Sequence, residues 1–400
     1  MLRDKSRIYL DYAASTPVAP EVLGAMQPYF SDEFGNAGSI HSFGQKAQAA
    51  LDHSREVISR ELGTKFNEII FTASATEANN LALRGTIRGF WWNYFKENGS
   101  APGKDILPHI ITTAIEHESV LETVRDIEQR GAARVTILPV SPEGIIDLEK
   151  LKASLDDQTI LVSVIYASNE IGTIQPIAEI GEIVKGYRGD RIYPLFHTDA
   201  VQAFQFIKLD VNDLDVDALA ISAQKIYGPK GAASLFLREG AQALVSPFIT
   251  GGLQESGFRS GTENVPAIAG MARAVELIAR NRDSEAKRIR ELRDYLWSEL
   301  KKMKPEIEMN GSGEQRLPNN LSIYFPGQDD ETLLIKLDEA GIAVSIGSAC
   351  SVKALRPSYV IEALGLEPDR AKSSIRFTLG RPTTKEEIDT VISRIKIKLE

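Results

Sequence analysis

Ile221-Ser-Ala-Gln-Lys-Ile-Tyr-Gly-Pro-Lys-Gly231 decides how the chain is read. It closes a mostly apolar run, Val216 to Ile221, that has the length and composition of a buried strand. Just past the strand's end stands Lys225, and Gly228-Pro-Lys-Gly231 then turns the chain. Most lysines are solvated surface charges. A lysine held between a hydroxyl residue and a tight turn at a strand end also has the placement of a reactive amine, and the residues upstream favour that second reading.

Working back from this stretch, strands are expected at Glu68 to Thr72, His109 to Thr113, Arg134 to Val140, Thr159 to Ile165, Tyr193 to Thr198, Ala218 to Ile221 and Ala233 to Leu237. Helical spacing falls between them, at Ser119 to Arg130, Leu148 to Leu155 and Ile177 to Lys185. Such alternation predicts an α/β fold with a mostly parallel seven-stranded sheet, whose ligand site gathers at the carboxyl ends of the strands. Before the first strand, Phe43 to Leu62 follows helical spacing up to Gly63, a C-terminal cap. After the last, Asn264 to about Lys304 reads as a long helical segment with a break near Asn281 to Asp283. Strands at Leu321 to Phe325, Ala343 to Ser345 and Ser374 to Leu379, with three helices, make the remainder an α+β unit. The division expected is a large domain over 16–263 and a small one formed by 1–15 and 264–400.

Five strand ends carry chemistry. Ser74-Ala-Thr-Glu-Ala-Asn-Asn80 opens a helix whose first N–H groups and hydroxyls suit a phosphate. His117 follows the next strand, where an imidazole can stack on a planar ring and move protons. Asn169 follows another. Asp199 closes its strand, with Gln202 three residues on, and a carboxylate against a pyridine nitrogen keeps that nitrogen protonated so that the ring becomes an electron sink. Lys225 comes last, and a lysine among such partners suits Schiff-base chemistry with pyridoxal phosphate. Each residue alone is as readily a cap, a structural histidine or a solvated lysine. Their order along successive strands is what carries the reading.

Composition narrows the classes. The 400 residues are 43% hydrophobic, enough for a large core, and the net charge of −9 with no basic block argues against nucleic-acid binding. Met1-Leu-Arg-Asp-Lys-Ser-Arg7 does not read as a signal peptide and no apolar run spans a bilayer, so the cytoplasm is the expected compartment and no membrane partner is expected. Cys350 is the single cysteine, which leaves it either a small packed residue or a nucleophile. No metal-ligand set is assigned.

With these residues in place, the chain resembles the class V pyridoxal-phosphate enzymes and, within them, the NifS/IscS-type cysteine desulfurases. The resemblance covers nearly the whole chain. It rests on Tyr9-Leu-Asp-Tyr-Ala-Ala14, Phe71-Thr-Ala-Ser-Ala-Thr-Glu77, Glu116-His117, Asn169-Glu-Ile-Gly172, Asp199-Ala-Val-Gln202, Lys225-Ile-Tyr-Gly-Pro-Lys-Gly231, Arg259-Ser-Gly-Thr262, Gly347-Ser-Ala-Cys350 and Ser374-Ile-Arg376. It implies the type I aminotransferase fold and a homodimer with active sites near the subunit boundary. It further implies that Lys225 binds the cofactor covalently, that Asp199 and Gln202 meet the pyridine nitrogen and the ring hydroxyl, and that His117 stacks and handles protons. Ala75, Thr76 and Ser222 match phosphate binders, and Thr262 matches the phosphate contact lent by the neighbouring subunit. Asn169 and Arg376 match positions that hold cofactor or substrate carboxylate, and Cys350 the cysteine that accepts sulfur.

One position departs from the family pattern. Gln224 stands where a histidine usually meets the cofactor phosphate, and a neutral amide donates a hydrogen bond there without adding charge. The activity implied is conversion of L-cysteine to L-alanine, with sulfur left as a persulfide on Cys350 and passed to an iron-sulfur scaffold or tRNA-thiolation protein. Two readings compete: a related lyase or aminotransferase, selenocysteine lyase included, in which Cys350 is incidental, and a scaffold that has kept the fold without turnover.

Overall fold

The computed structural model describes residues 7–100, 106–347 and 357–399. Twelve strands occur among them: β1 (Ile8–Tyr9), β2 (Ile69–Thr72), β3 (His109–Thr113), β4 (Arg134–Leu138), β5 (Thr159–Ser163), β6 (Leu195–Asp199), β7 (Ala218–Ser222), β8 (Ala233–Leu237), β9 (Glu308–Met309), β10 (Asn320–Tyr324), β11 (Ile342–Ala343) and β12 (Ser374–Thr378). Seven form one sheet in the order β2-β8-β7-β6-β5-β3-β4. Only β8 runs against its neighbours; the other pairings are parallel.

The sheet's interior strands are buried along their whole length, as parallel strands covered on both faces must be. Alternation along them feeds two cores. Ile111, Val162 and Phe196 belong to the cluster on one face, and their neighbours Ile110, Leu161 and Leu195 to the cluster on the other. A smaller antiparallel sheet, β12-β10-β9, and a parallel pair of β1 with β11 lie outside it.

Most expected boundaries shift by a few residues, and three departures have a visible cause. Glu68 does not begin β2. It ends a short turn, Phe66–Glu68, because its carboxylate is taken by the N–H groups of Lys65 at 3.0 Å and Glu239 at 2.7 Å. β6 begins at Leu195 and not at Tyr193, because Pro194 has no N–H for a ladder. The long helix Val265–Met303 is continuous through the polar run where a break is expected. There Arg282 turns inward, buried, with its guanidinium 2.5 Å from Glu61 and above the Phe204 ring, so the run is anchored by a side chain and stays helical.

Candidate active site

Lys225 ends a single turn, Ala223–Lys225, that leaves β7. The turn closes because Gly228 N–H donates to Ala223 O at 2.9 Å, an approach that a β-carbon on Gly228 would spoil by standing 2.8 Å from that same oxygen. Thr16 secures it from outside: its hydroxyl donates to Gln224 O at 2.9 Å and accepts from Tyr227 N–H at 2.8 Å. The Lys225 amine then donates to the carbonyls of Ala13 at 2.6 Å and Ala14 at 2.7 Å. Gln202 reaches the Ala13 carbonyl as well, at 3.1 Å.

Asp199 is the last residue of β6 and is buried. One carboxylate oxygen accepts the Val201 N–H at 3.0 Å and the other accepts the Asn79 amide at 2.7 Å. His117 caps the helix Glu118–Gln129, with Nδ1 accepting the Ser119 N–H at 3.1 Å and standing 2.8 Å from the Ser119 hydroxyl. Burial holds this imidazole below the usual histidine range; Asp199 opposes that shift and Lys225 adds to it. Ser74 caps the helix Ala75–Asn98 by accepting the Glu77 N–H at 3.2 Å. The N–H groups of Ala75 and Thr76 are thereby presented at a helix start with no intrahelical acceptor.

Arg376 arrives from β12. Its two terminal nitrogens are used, one on Asn169 O at 3.0 Å and one on the Asp11 carboxylate at 2.8 Å, while its Nε is buried without a partner among the described residues.

These groups converge. Ala75, Thr76, His117, Asn169, Asp199, Gln202, Ser222, Gln224, Lys225 and Arg376 all line one cavity of about 200 Å³. Thr262 is exposed and stands apart from it, and Cys350 lies outside the described residues. Sequence reasoning missed Ala13 and Ala14, whose carbonyls hold the lysine, and Asp11, which holds Arg376. It also missed Asn79 and Ser119. Helical phase was the available signal for Asn79, since it shares a face with Ala75 four residues earlier; Asn80 goes instead with Thr76, to whose carbonyl it donates at 2.9 Å.

The donor set fits a phosphorylated pyridine aldehyde: a helix start and Ser222 for phosphate, a buried carboxylate for a ring nitrogen, an imidazole beside it and an amine within the same walls. Comparison with known proteins agrees. The model of the family "Aminotransferase class-V" matches residues 8–391. "Cysteine desulfurase IscS" of Dictyoglomus turgidum is 44% identical over 398 residues, which is 99% of this chain and 96% of that protein. A solved "NIFS-LIKE PROTEIN" superposes with a TM-score of 0.87 at 35% identity, covering 98% of this chain and 99% of its own. "SspA in complex with cysteine" does so with a TM-score of 0.77 at 34% identity, covering 93% and 98%. The chain therefore belongs to the class-V aminotransferases and, within that pyridoxal-phosphate-dependent family, to the cysteine desulfurases.

Proposed function

We propose that the chain converts L-cysteine to L-alanine and stores the sulfur as a persulfide on Cys350. It would work in the cytoplasm as a homodimer and hand the sulfur to an iron-sulfur scaffold or a tRNA-thiolation protein. The observation that carries this reading is the convergence of Lys225, Asp199, His117 and Arg376 on one cavity. The related SspA, solved with cysteine, supports the substrate. Exposed Ile40 and Leu253, 93% and 87% accessible, support a subunit interface.

Pyridoxal phosphate, when bound, supplies the carbonyl carbon that takes a substrate amine and the ring that accepts electrons. Asp199 keeps the ring nitrogen protonated. The helix start at Ala75 and Thr76, with Ser222 and Gln224, holds the phosphate. Arg376 would offer its guanidinium to the substrate carboxylate, assisted by Asn169. Lys225 would hold the cofactor covalently and, as a free amine, would take the substrate α-proton. The Cys350 thiolate attacks the substrate sulfur: an S–S bond forms, the Cβ–S bond breaks, and the electron pair left on Cβ takes a proton to become the methyl of alanine.

Cys350→Ser tests the last step. The variant should bind cofactor and change its visible spectrum with L-cysteine, yet form no protein persulfide and almost no alanine. Alanine production near the wild-type rate would leave Cys350 a bystander and favour a lyase or aminotransferase. Lys225→Ala, in turn, should lose the borohydride-reducible link to the cofactor, and retention of that link would put the covalent site on another lysine.

A further inference from the structure

His117 is reached by a hydrogen-bond chain that starts at Asp199, and the backbone N–H of Ser119 sets the direction of its last link. An ionised carboxylate accepts and cannot donate, so the Asn79 group lying 2.7 Å from Asp199 Oδ2 is the amide nitrogen. That nitrogen's second hydrogen goes to the Ser119 oxygen at 2.8 Å. The backbone N–H of Ser119 can only donate, and it points at His117 Nδ1 from 3.1 Å, so Nδ1 is the acceptor and the Ser119 hydroxyl, 2.8 Å from the same atom, gives it its hydrogen. Two donors aimed at one ring nitrogen leave no room for a proton on it.

Asn79 is fully buried, and its Oδ1 has no hydrogen-bond partner among the described residues. A buried amide that leaves its acceptor unpaired while spending both N–H groups on Ser119 and Asp199 is placed for those two bonds. Nothing in its helix requires it, since the cap is supplied by Ser74.

Building on the desulfurase reading above, we infer that Asn79 is a positioning residue that turns the Ser119 hydroxyl onto His117 Nδ1 and so, together with the Ser119 N–H, keeps Nδ1 bare and the proton on Nε2. His117 then offers the cofactor site a neutral ring with a donor and has no lone pair free to act as a base. Removal of the α-proton falls to Lys225 alone. Burial, which already disfavours the imidazolium, acts in the same direction. The charged groups that face the ring are Asp199 from β6, Lys225 from the turn after β7 and Glu118 from the ring's own helix.

The test is made on apoenzyme, so it does not depend on turnover, and a chain inactive on L-cysteine would leave its result untouched. Histidine is labelled with 15N, and the His117 signals are picked out among five histidines by their loss in His117→Phe. In the wild type, Nδ1 should resonate as an unprotonated nitrogen and Nε2 as a protonated one. In Asn79→Ala the Ser119 hydroxyl is released from its hold on Nδ1, and only the Ser119 backbone N–H still donates there. The Nε2–H form should stay the majority, and the protonation midpoint should rise by about half to one pH unit, the equivalent of one neutral hydrogen bond. Ser119→Ala should raise the midpoint too, and Ser119→Thr, which restores the hydroxyl, should return it. A proton on Nδ1 in the wild type, or wild-type titration in both alanine variants, would overturn the proposal. Should Asn79→Ala fail to fold, the Ser119→Ala and Ser119→Thr pair decides by itself.

Discussion

At the scale of single residues, Glu116 beside His117 is a buried acid whose charge the site does not need. One of its oxygens accepts the Thr113 hydroxyl at 2.6 Å and the Ile165 N–H at 2.9 Å; the other has no partner. Burial, with Asp199 nearby, pushes its carboxyl up to about 8 against those bonds. Folded chain therefore holds a proton at pH 6 to 7 that the unfolded chain, with an ordinary carboxylate near 4.5, has released. Stability from this group is complete below the lower value and is lost as pH rises through the upper, by up to about 1.4 kcal/mol per pH unit. Glu116→Gln, which mimics the protonated acid, should denature at nearly the wild-type denaturant concentration at about pH 5 and at a higher one at about pH 8. Buried Glu170, also raised by burial, keeps a residual slope in the variant. An unchanged pH profile would mean that Glu116 is ionised in the fold. Nothing in Ala-Ile-Glu-His-Glu distinguishes the buried Glu116 from the half-buried Glu118, because that depends on how closely Ile165, just past β5, approaches.

Elements were legible where one physical rule dominated. Strands β3, β5, β6 and β7 announce themselves as short apolar runs ended by polar residues, and they appear within a few residues of their expected positions. The helix Val265–Met303 was misread at its middle because a polar run looks like a break unless its arginine has a buried acid to meet, and Glu61 is 221 positions away in sequence. A similar long-range pairing guards the edge strand β2. Glu255, buried and at a positive φ of 49°, accepts the Phe71 N–H at 2.7 Å, and the Arg55 guanidinium meets it with two bonds at 2.7 and 2.9 Å. An exposed backbone edge is thus capped by a side chain instead of another strand. Glu255→Ala leaves the Phe71 N–H unpaired and takes from Arg55 its carboxylate, leaving it the Ile69 carbonyl, and breaking a buried ion pair from one side costs about 3–5 kcal/mol. Urea unfolding should record a loss of that size. A loss under about 1 kcal/mol would class the pair with surface bridges.

Across the whole molecule, the site is assembled from segments that local sequence cannot bring together. Ala13 and Ala14 hold a lysine more than 200 positions later, and β12 delivers Arg376 to Asn169 and Asp11. The family motifs pointed to most of these residues, but the contacts among them are tertiary. Thr262 extends the same logic beyond one subunit. It is exposed and absent from its own chain's cavity wall, while the proposed homodimer assigns it to the neighbour's phosphate site. Mixing two defective chains separates the possibilities. Lys225→Ala removes a site's own amine, and Thr262→Ala, if Thr262 acts across the interface, weakens the site of the other chain. A hybrid dimer of the two then has one site carrying both defects and one carrying neither. Refolded mixtures should recover tight, borohydride-reducible cofactor binding in the single intact site of each hybrid, at about a quarter of all sites for random pairing in equal amounts. If Thr262 serves its own chain, every site in the hybrid has one defect and mixing restores nothing, so cofactor retention no higher than the average of the two parents would remove Thr262 from the neighbour's site.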